Sequence, residues 1–117
     1  MTGHSEHADL PALPILGGSY ELAIDGLTLQ ADSFTLHYTV SPPLPASVLL
    51  TLDAQDDLGN TYVDWGGACG TSPDGHRTHG TIAARPAPPH SARHLRARLV
   101  FLRSGAEFPY DLGLPLP

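Results

Sequence analysis

The stretch SFTLHYTVS, Ser33 to Ser41, alternates without a break: Phe34, Leu36, Tyr38 and Val40 are apolar, and the residues between them are polar. Successive side chains of an extended strand point to opposite faces, so a period of two writes one buried face and one wet face. A helix would spread the same four apolar residues over both sides of its axis. The stretch therefore reads as a half-buried strand, and it places His37 on the polar face.

The same rule holds on either side. Val48, Leu50, Leu52 and Ala54 form an inward row with Leu49, Thr51 and Asp53 opposite, and Leu95, Ala97, Leu99 and Phe101 form another with Arg96 and Arg98 opposite. Tyr20, Leu22 and Ile24 alternate up to an expected turn at Asp25-Gly26, after which Leu27, Leu29 and Ala31 resume. Phe108, Tyr110, Leu112 and Leu114 alternate through the C-terminus, with Pro109 marking an edge strand because it has no N–H to give. Between these runs, DDLGN (56–60) reads as a compact turn with Gly59 at positive φ, TYVDW (61–65) as a short strand, and GGACGTSPDG (66–75) as a loop. A strand from about His79 to Arg85 and a proline-rich crossing complete the pattern. No segment holds a 3.6-residue period. The expectation is an all-β, immunoglobulin-like antiparallel β-sandwich of seven or eight strands over 19–117, with residues 1–18 as a flexible N-terminal arm.

Bulk properties narrow the function classes. A length of 117 residues supports one modest core. Twelve Pro and twelve Gly fall between the apolar runs, which fits a loop-rich β domain rather than disorder. A single Cys forms no intrachain disulfide, and no apolar run reaches the roughly 18 residues of a membrane span. The first residues lack the basic and apolar regions of a secretory signal, so the cytoplasm is the expected compartment if Met1 is the native start. The charges segregate: residues 1–76 hold acids and no Lys or Arg, whereas 77–106 hold all six Arg. Cross-strand pairing of the two groups is the expected use, and the net charge of −6 opposes nucleic acid.

Three elements carry a resemblance. Asp56, Gly59 and Tyr62 fit a D-x-x-G-x-x-Y strand-turn motif, Gly80 and Ile82 a G-x-[IVL] strand, and Leu95 and Leu99 an L-x-x-x-L strand. Together they resemble small bacterial immunoglobulin-like and fibronectin-like domains, many without an assigned activity, and the match covers about half of the chain. The Lys-free, Arg-, Ala-, Pro- and Gly-rich composition suits a high-GC actinobacterial genome.

Several chemistries have candidate residues. Asp53, Gln55, Asp57 and Asp64 fall at positions 1, 3, 5 and 12 of a calcium-loop register, but Gly59 falls at 7 rather than 6 and the flanks are strands. Cys69, His76 and His79 could supply three zinc ligands only if the chain bends near His76. Cys69 could act as a nucleophile with His76 or His79 as base, but the sequence shows no helix N-terminus or third orienting group to activate it. The absence of Lys excludes Schiff-base and Walker-type chemistry. Arg96 and Arg98, with Arg85, His94 and Arg103, could form an anion-binding face. Val100, Leu102 and Leu49 on the polar side, with Arg96, Arg98 and Trp65, are candidates for contact with a protein partner or a second copy. The expectation is a non-catalytic protein-interaction or assembly module without a cofactor, with metal binding as the first alternative and anion binding as the second.

Overall fold

The computed structural model describes residues 11–116. They form eight strands: β1 (Ala12–Ile15), β2 (Tyr20–Leu29), β3 (Phe34–Ser41), β4 (Leu49–Asp56), β5 (Thr61–Thr71), β6 (Thr78–Arg85), β7 (His94–Arg103) and β8 (Ala106–Pro115). A 3-10 turn at Leu16–Gly18 follows β1. The strands run antiparallel in the order β1-β2-β3-β6-β5-β4-β7-β8. The protein is thus all-β, as its alternating runs require. In place of two separate sheets there is one, nearly closed, in which a short ladder of Asp53–Gln55 against Thr61–Val63 joins β4 to β5. Its first and last strands are tied where the Leu16 backbone N–H donates to the Tyr110 hydroxyl at 2.6 Å.

The inward rows supply the core. Phe34, Leu36, Tyr38 and Val40 from β3 meet Leu52 and Ala54 from β4 and Leu95, Ala97, Leu99 and Phe101 from β7, all buried. Phe34 meets Tyr62 edge-on at 5.4 Å, and Phe101 meets Tyr110 likewise at 6.0 Å, the geometry that the ring quadrupoles favour.

Three expectations change. The arm assigned to 1–18 loses its second half: Ala12–Ile15 pair with β2, and Ile15 and Leu16 are buried, whereas 1–10 lie outside the described residues. Asp25-Gly26 is a bulge inside β2 instead of a turn, because the register against β3 steps between Ile24 and Gly26 and continues to Leu29. The expected loop at 66–75 is largely strand, since β5 extends to Thr71 and pairs with β6 throughout that stretch. Only 72–77 turn, with Asp74 accepting from the Ser72 hydroxyl and the His76 N–H.

The D-x-x-G-x-x-Y motif has a physical basis. The buried Asp56 carboxylate accepts from the N–H groups of Leu58 and Asn60, the Asn60 amide and the Tyr62 hydroxyl, at 2.6–2.9 Å. Gly59 sits at φ 91°, a left-handed conformation that a side chain disfavours. Gly59→Val is expected to destabilise by about 1–2 kcal/mol in urea unfolding through that backbone penalty. A Cβ there would touch nothing, so Gly59→Ala, which adds only that atom, should show the conformational part of the loss by itself.

Candidate functional site

β5 carries two kinds of edge. Its first residues pair with β4, but beyond Val63 the two strands part. The cause is local. Trp65 is an extra residue against β6, where the register steps between Asp64 and Gly66, and Gly66 takes φ 95°. The Asp64 carboxylate then enters the gap, with Oδ2 accepting from the Leu52 N–H at 2.9 Å and Oδ1 from the Gly66 N–H at 2.7 Å. A side chain thus takes the place of the next backbone rung. From Gly66 to Thr71 one side of β5 pairs with β6, and among the described residues no strand pairs with the other side.

Beside this free edge lies a cleft of about 480 Å³. The first residues of β4, Leu49 and Leu50, border it opposite Cys69, and Tyr38, Leu44, Ile82 and Phe101 line its apolar floor and walls. Tyr38, Gly80 and Cys69 are register partners across β3, β6 and β5. The Tyr38 ring crosses over Gly80, where a Cβ would lie 2.3 Å from Cζ. Burial, then the neighbouring Cys69, raise the pKa of the Tyr38 hydroxyl, which keeps it neutral. Gly67 is equally constrained, since a Cβ would lie 2.1 Å from the Thr81 carbonyl oxygen. At the near end of the edge, Trp65 is 62% exposed, and the Arg85 guanidinium stacks 4.2 Å from its ring centre. Arg85 is itself held by an ion pair with Asp32.

The sequence-derived candidates are distributed as follows. Trp65 belongs to the edge region. Arg96, Arg98, Val100 and Leu102 share the outward face of β7, where Leu49 pairs with Leu102 and Thr51 with Val100. This gathers the anticipated apolar group, with Leu49 61% exposed. Arg98 makes a two-pronged ion pair with Asp111 on β8, at 2.8 and 3.1 Å, and pairs in register with Asp53. Asp53 beside Arg98 and Asp32 with Arg85 bring the acidic segment to the basic one, whereas Asp111 lies outside both. Arg96 lies opposite Gln55, near His94, while Arg85 is across the sheet on Trp65 and Arg103 stacks on Phe108. The five residues of the suggested anion face do not form one patch.

The metal candidates do not converge. Asp53 faces outward on β4, Asp57 accepts from the N–H groups of Arg93 and His94, and Asp64 is used at the strand split. Cys69 lies on the inward-facing register row with Gly80, whereas His79 faces outward and its Nδ1 lies 3.0 Å from the Thr39 hydroxyl. His76 lies in the 72–77 turn. Among the described residues no three His, Cys, Asp or Glu side chains are placed to hold a metal ion. The chain does bend near His76, but the strand pleat still separates Cys69 from His79.

Sequence marks Tyr38 only as an inward apolar residue and Gly80 only as part of a strand motif, and it does not mark Gly67. A signal existed in SPDG, Ser72 to Gly75, a turn motif with a run of similar length on each side that marks a hairpin. From Gly66 to Gly70 its first arm lacks the branched and aromatic residues by which strands are recognised.

Neither a protein-family model nor a curated protein sequence matches the chain. Among solved structures it is similar to a conserved domain protein from Bacillus anthracis, at 16% identity and a TM-score of 0.58. The similarity covers 93% of this chain and 50% of that one, so this chain spans half the length of its structural neighbour. At that identity the likeness concerns the fold. No helix among the described residues is long and apolar enough to cross a membrane.

Proposed function

We propose that this chain is a non-catalytic protein-interaction module that takes an extended polypeptide as an added strand along Gly66–Thr71. The observation that carries this reading is the free edge itself. Alternate N–H and C=O groups of an edge strand lack ladder partners and act as a template for another chain.

The outermost strands, β1 and β8, are guarded, whereas 49–52 of β4 and 25–29 of β2 lack, like 66–71, a strand partner on one side among the described residues. β1 has four residues and contains Pro14, while β8 contains Pro109 and Pro115 with Glu107 and Asp111. The free part of β5, GGACGT, has no proline and no charge. Exposed apolar residues flank it, Val63 and Trp65 on β5 and Leu49 across the cleft. Trp65 is suited to anchor a partner, since Arg85 fixes one ring face and leaves the indole at the surface. Kinship with small bacterial immunoglobulin-like and fibronectin-like domains, many without an assigned activity, belongs to the same reading and rests on Asp56, Gly59, Tyr62, Gly80, Ile82, Leu95 and Leu99.

The test is selection from a displayed library of random linear decapeptides, followed by amide-proton NMR of the protein with an enriched peptide. Amides of 66–71 are expected to shift and gain exchange protection. Enrichment of nothing, or protection confined to the β7–β8 face, would overturn the assignment.

A further inference from the structure

We propose that the cleft beside β5 selects an extended segment in which every second residue is large, apolar and uncharged. This rests on strand addition at Gly66–Thr71 and specifies the chemistry of what is added. Gly67, Cys69 and Thr71 pair with Ile82, Gly80 and Thr78, and so belong to the inward-facing row of the sheet. A strand laid alongside shares the pleat, so its alternate side chains point the same way, over the cleft.

The inward side chains that β5 itself contributes are a hydrogen, a thiol-bearing methylene and a hydroxyethyl group. They leave the space above Leu50, Ile82 and Phe101 unfilled, about 480 Å³ in all. Packing an apolar strand there removes that floor from water, whereas another small-residue strand would leave it empty. A second copy offering its own β5 brings only Gly67, Cys69 and Thr71, so a different polypeptide fits better.

Charge sharpens the choice. None of the described residues lining the cleft carries a formal charge at neutral pH, although 18 residues of the chain are acidic or basic. A Lys, Arg, Asp or Glu at an inward position of the added strand would be desolvated without a counter-ion. The intervening positions face outward beside Thr81 and His79, where polar side chains stay wet.

Three synthetic peptides test this on the native chain: a heptapeptide alternating leucine and threonine, an isomer with its leucines grouped, and an alternating peptide with lysine for leucine. Each carries the same solubilising ends. Affinity is read by fluorescence anisotropy, and occupancy by the alkylation rate of Cys69, the only thiol in the sequence. The alternating leucine peptide is expected to bind at least about tenfold more tightly than either control and to slow alkylation. Cys69→Leu, which fills the cleft from β5, is expected to remove that preference while the protein melts normally. Equal binding of all three with Cys69 protected would overturn the selectivity and leave strand addition standing. No binding and no protection would overturn both. Protection of Cys69 that grows with protein concentration alone would replace the foreign strand with a second copy.

Discussion

Gly80→Val is expected to destabilise the protein by about 3 kcal/mol and to lower its melting temperature by on the order of 10 °C or more, read by calorimetry or far-UV circular dichroism. Gly80 lies in the middle of β6, between β3 and β5, so its backbone is held by ladders on both sides. A Cβ would stand 2.3 Å from Tyr38 Cζ, 2.4 Å from the hydroxyl oxygen and 2.8 Å from Cε2. Tyr38 is only 5% exposed, so the ring must give up its packed position over Gly80 for a Cβ to fit. Valine would displace the ring into the cleft, pull β6 from its neighbours, or both. The cause can be isolated with a double variant. In a Tyr38→Leu background the same Gly80→Val change should cost markedly less, because the shorter side chain leaves room for the new methyl groups. Equal costs in the two backgrounds would mean that the ring over Gly80 is not the constraint.

Asp56→Ala is expected to lower the melting temperature by about 10 °C, because one carboxylate closes the whole β4–β5 turn. Its removal strands the buried Tyr62 hydroxyl and two turn N–H groups that face the same side chain. Acid should produce a graded version of the same loss. Burial pushes the Asp56 carboxyl up, but the bonds from Tyr62, Asn60 and Leu58 outweigh it and bring the pKa down to about 2, against an ordinary 3.8. A group with a depressed folded-state pKa stabilises in its ionised form. Its contribution is complete above pH of about 4 and is lost as pH falls through about 2.

Asp32 and Asp111 are also lowered, by the hydrogen bonds and charge of Arg85 and by a hydrogen bond from Arg98, and act in the same direction. Both pairs are exposed, so salt screens them. Melting curves at pH 5, 3.5 and 2 in 0.5 M salt, on the native chain and Asp56→Asn, separate the two sources. The native chain should lose stability steeply in acid and the variant should lose much less. Parallel curves would remove Asp56 from that role.

The candidate site was legible at its ends and hidden in its middle. Trp65 stood out as an aromatic residue beside glycines, and the exposed Leu49 as an apolar residue on a polar face. Gly66 to Thr71 could not be recognised as strand, because small residues have little intrinsic preference for extended backbone. What holds them extended is the ladder to β6, and what requires glycine at Gly67 and Gly80 is the approach of the Thr81 carbonyl and the Tyr38 ring. The ladder is a hairpin that the SPDG turn signals, but the approach of Tyr38 to Gly80 joins residues 42 positions apart, and no local window contains it. The grouping that suggested a metal site is likewise a matter of spacing alone. Spacing grouped Cys69, His76 and His79, but the hairpin and its pleat distribute them over the inward row, the turn and the outward face.

By itself, the sequence determined that the fold is all-β, which residues of the long runs face inward, and where the Asp56–Tyr62 turn lies. Those properties follow from a side-chain period of two and from local hydrogen bonding. Tertiary structure alone decided that eight strands join in one nearly closed sheet, that the residues after Pro11 enter it, and that β4 and β5 part at Asp64 to leave an edge over an apolar cleft. Strand order and register are settled by contacts between distant segments, where the packing of whole rows overrides the preference of any one residue.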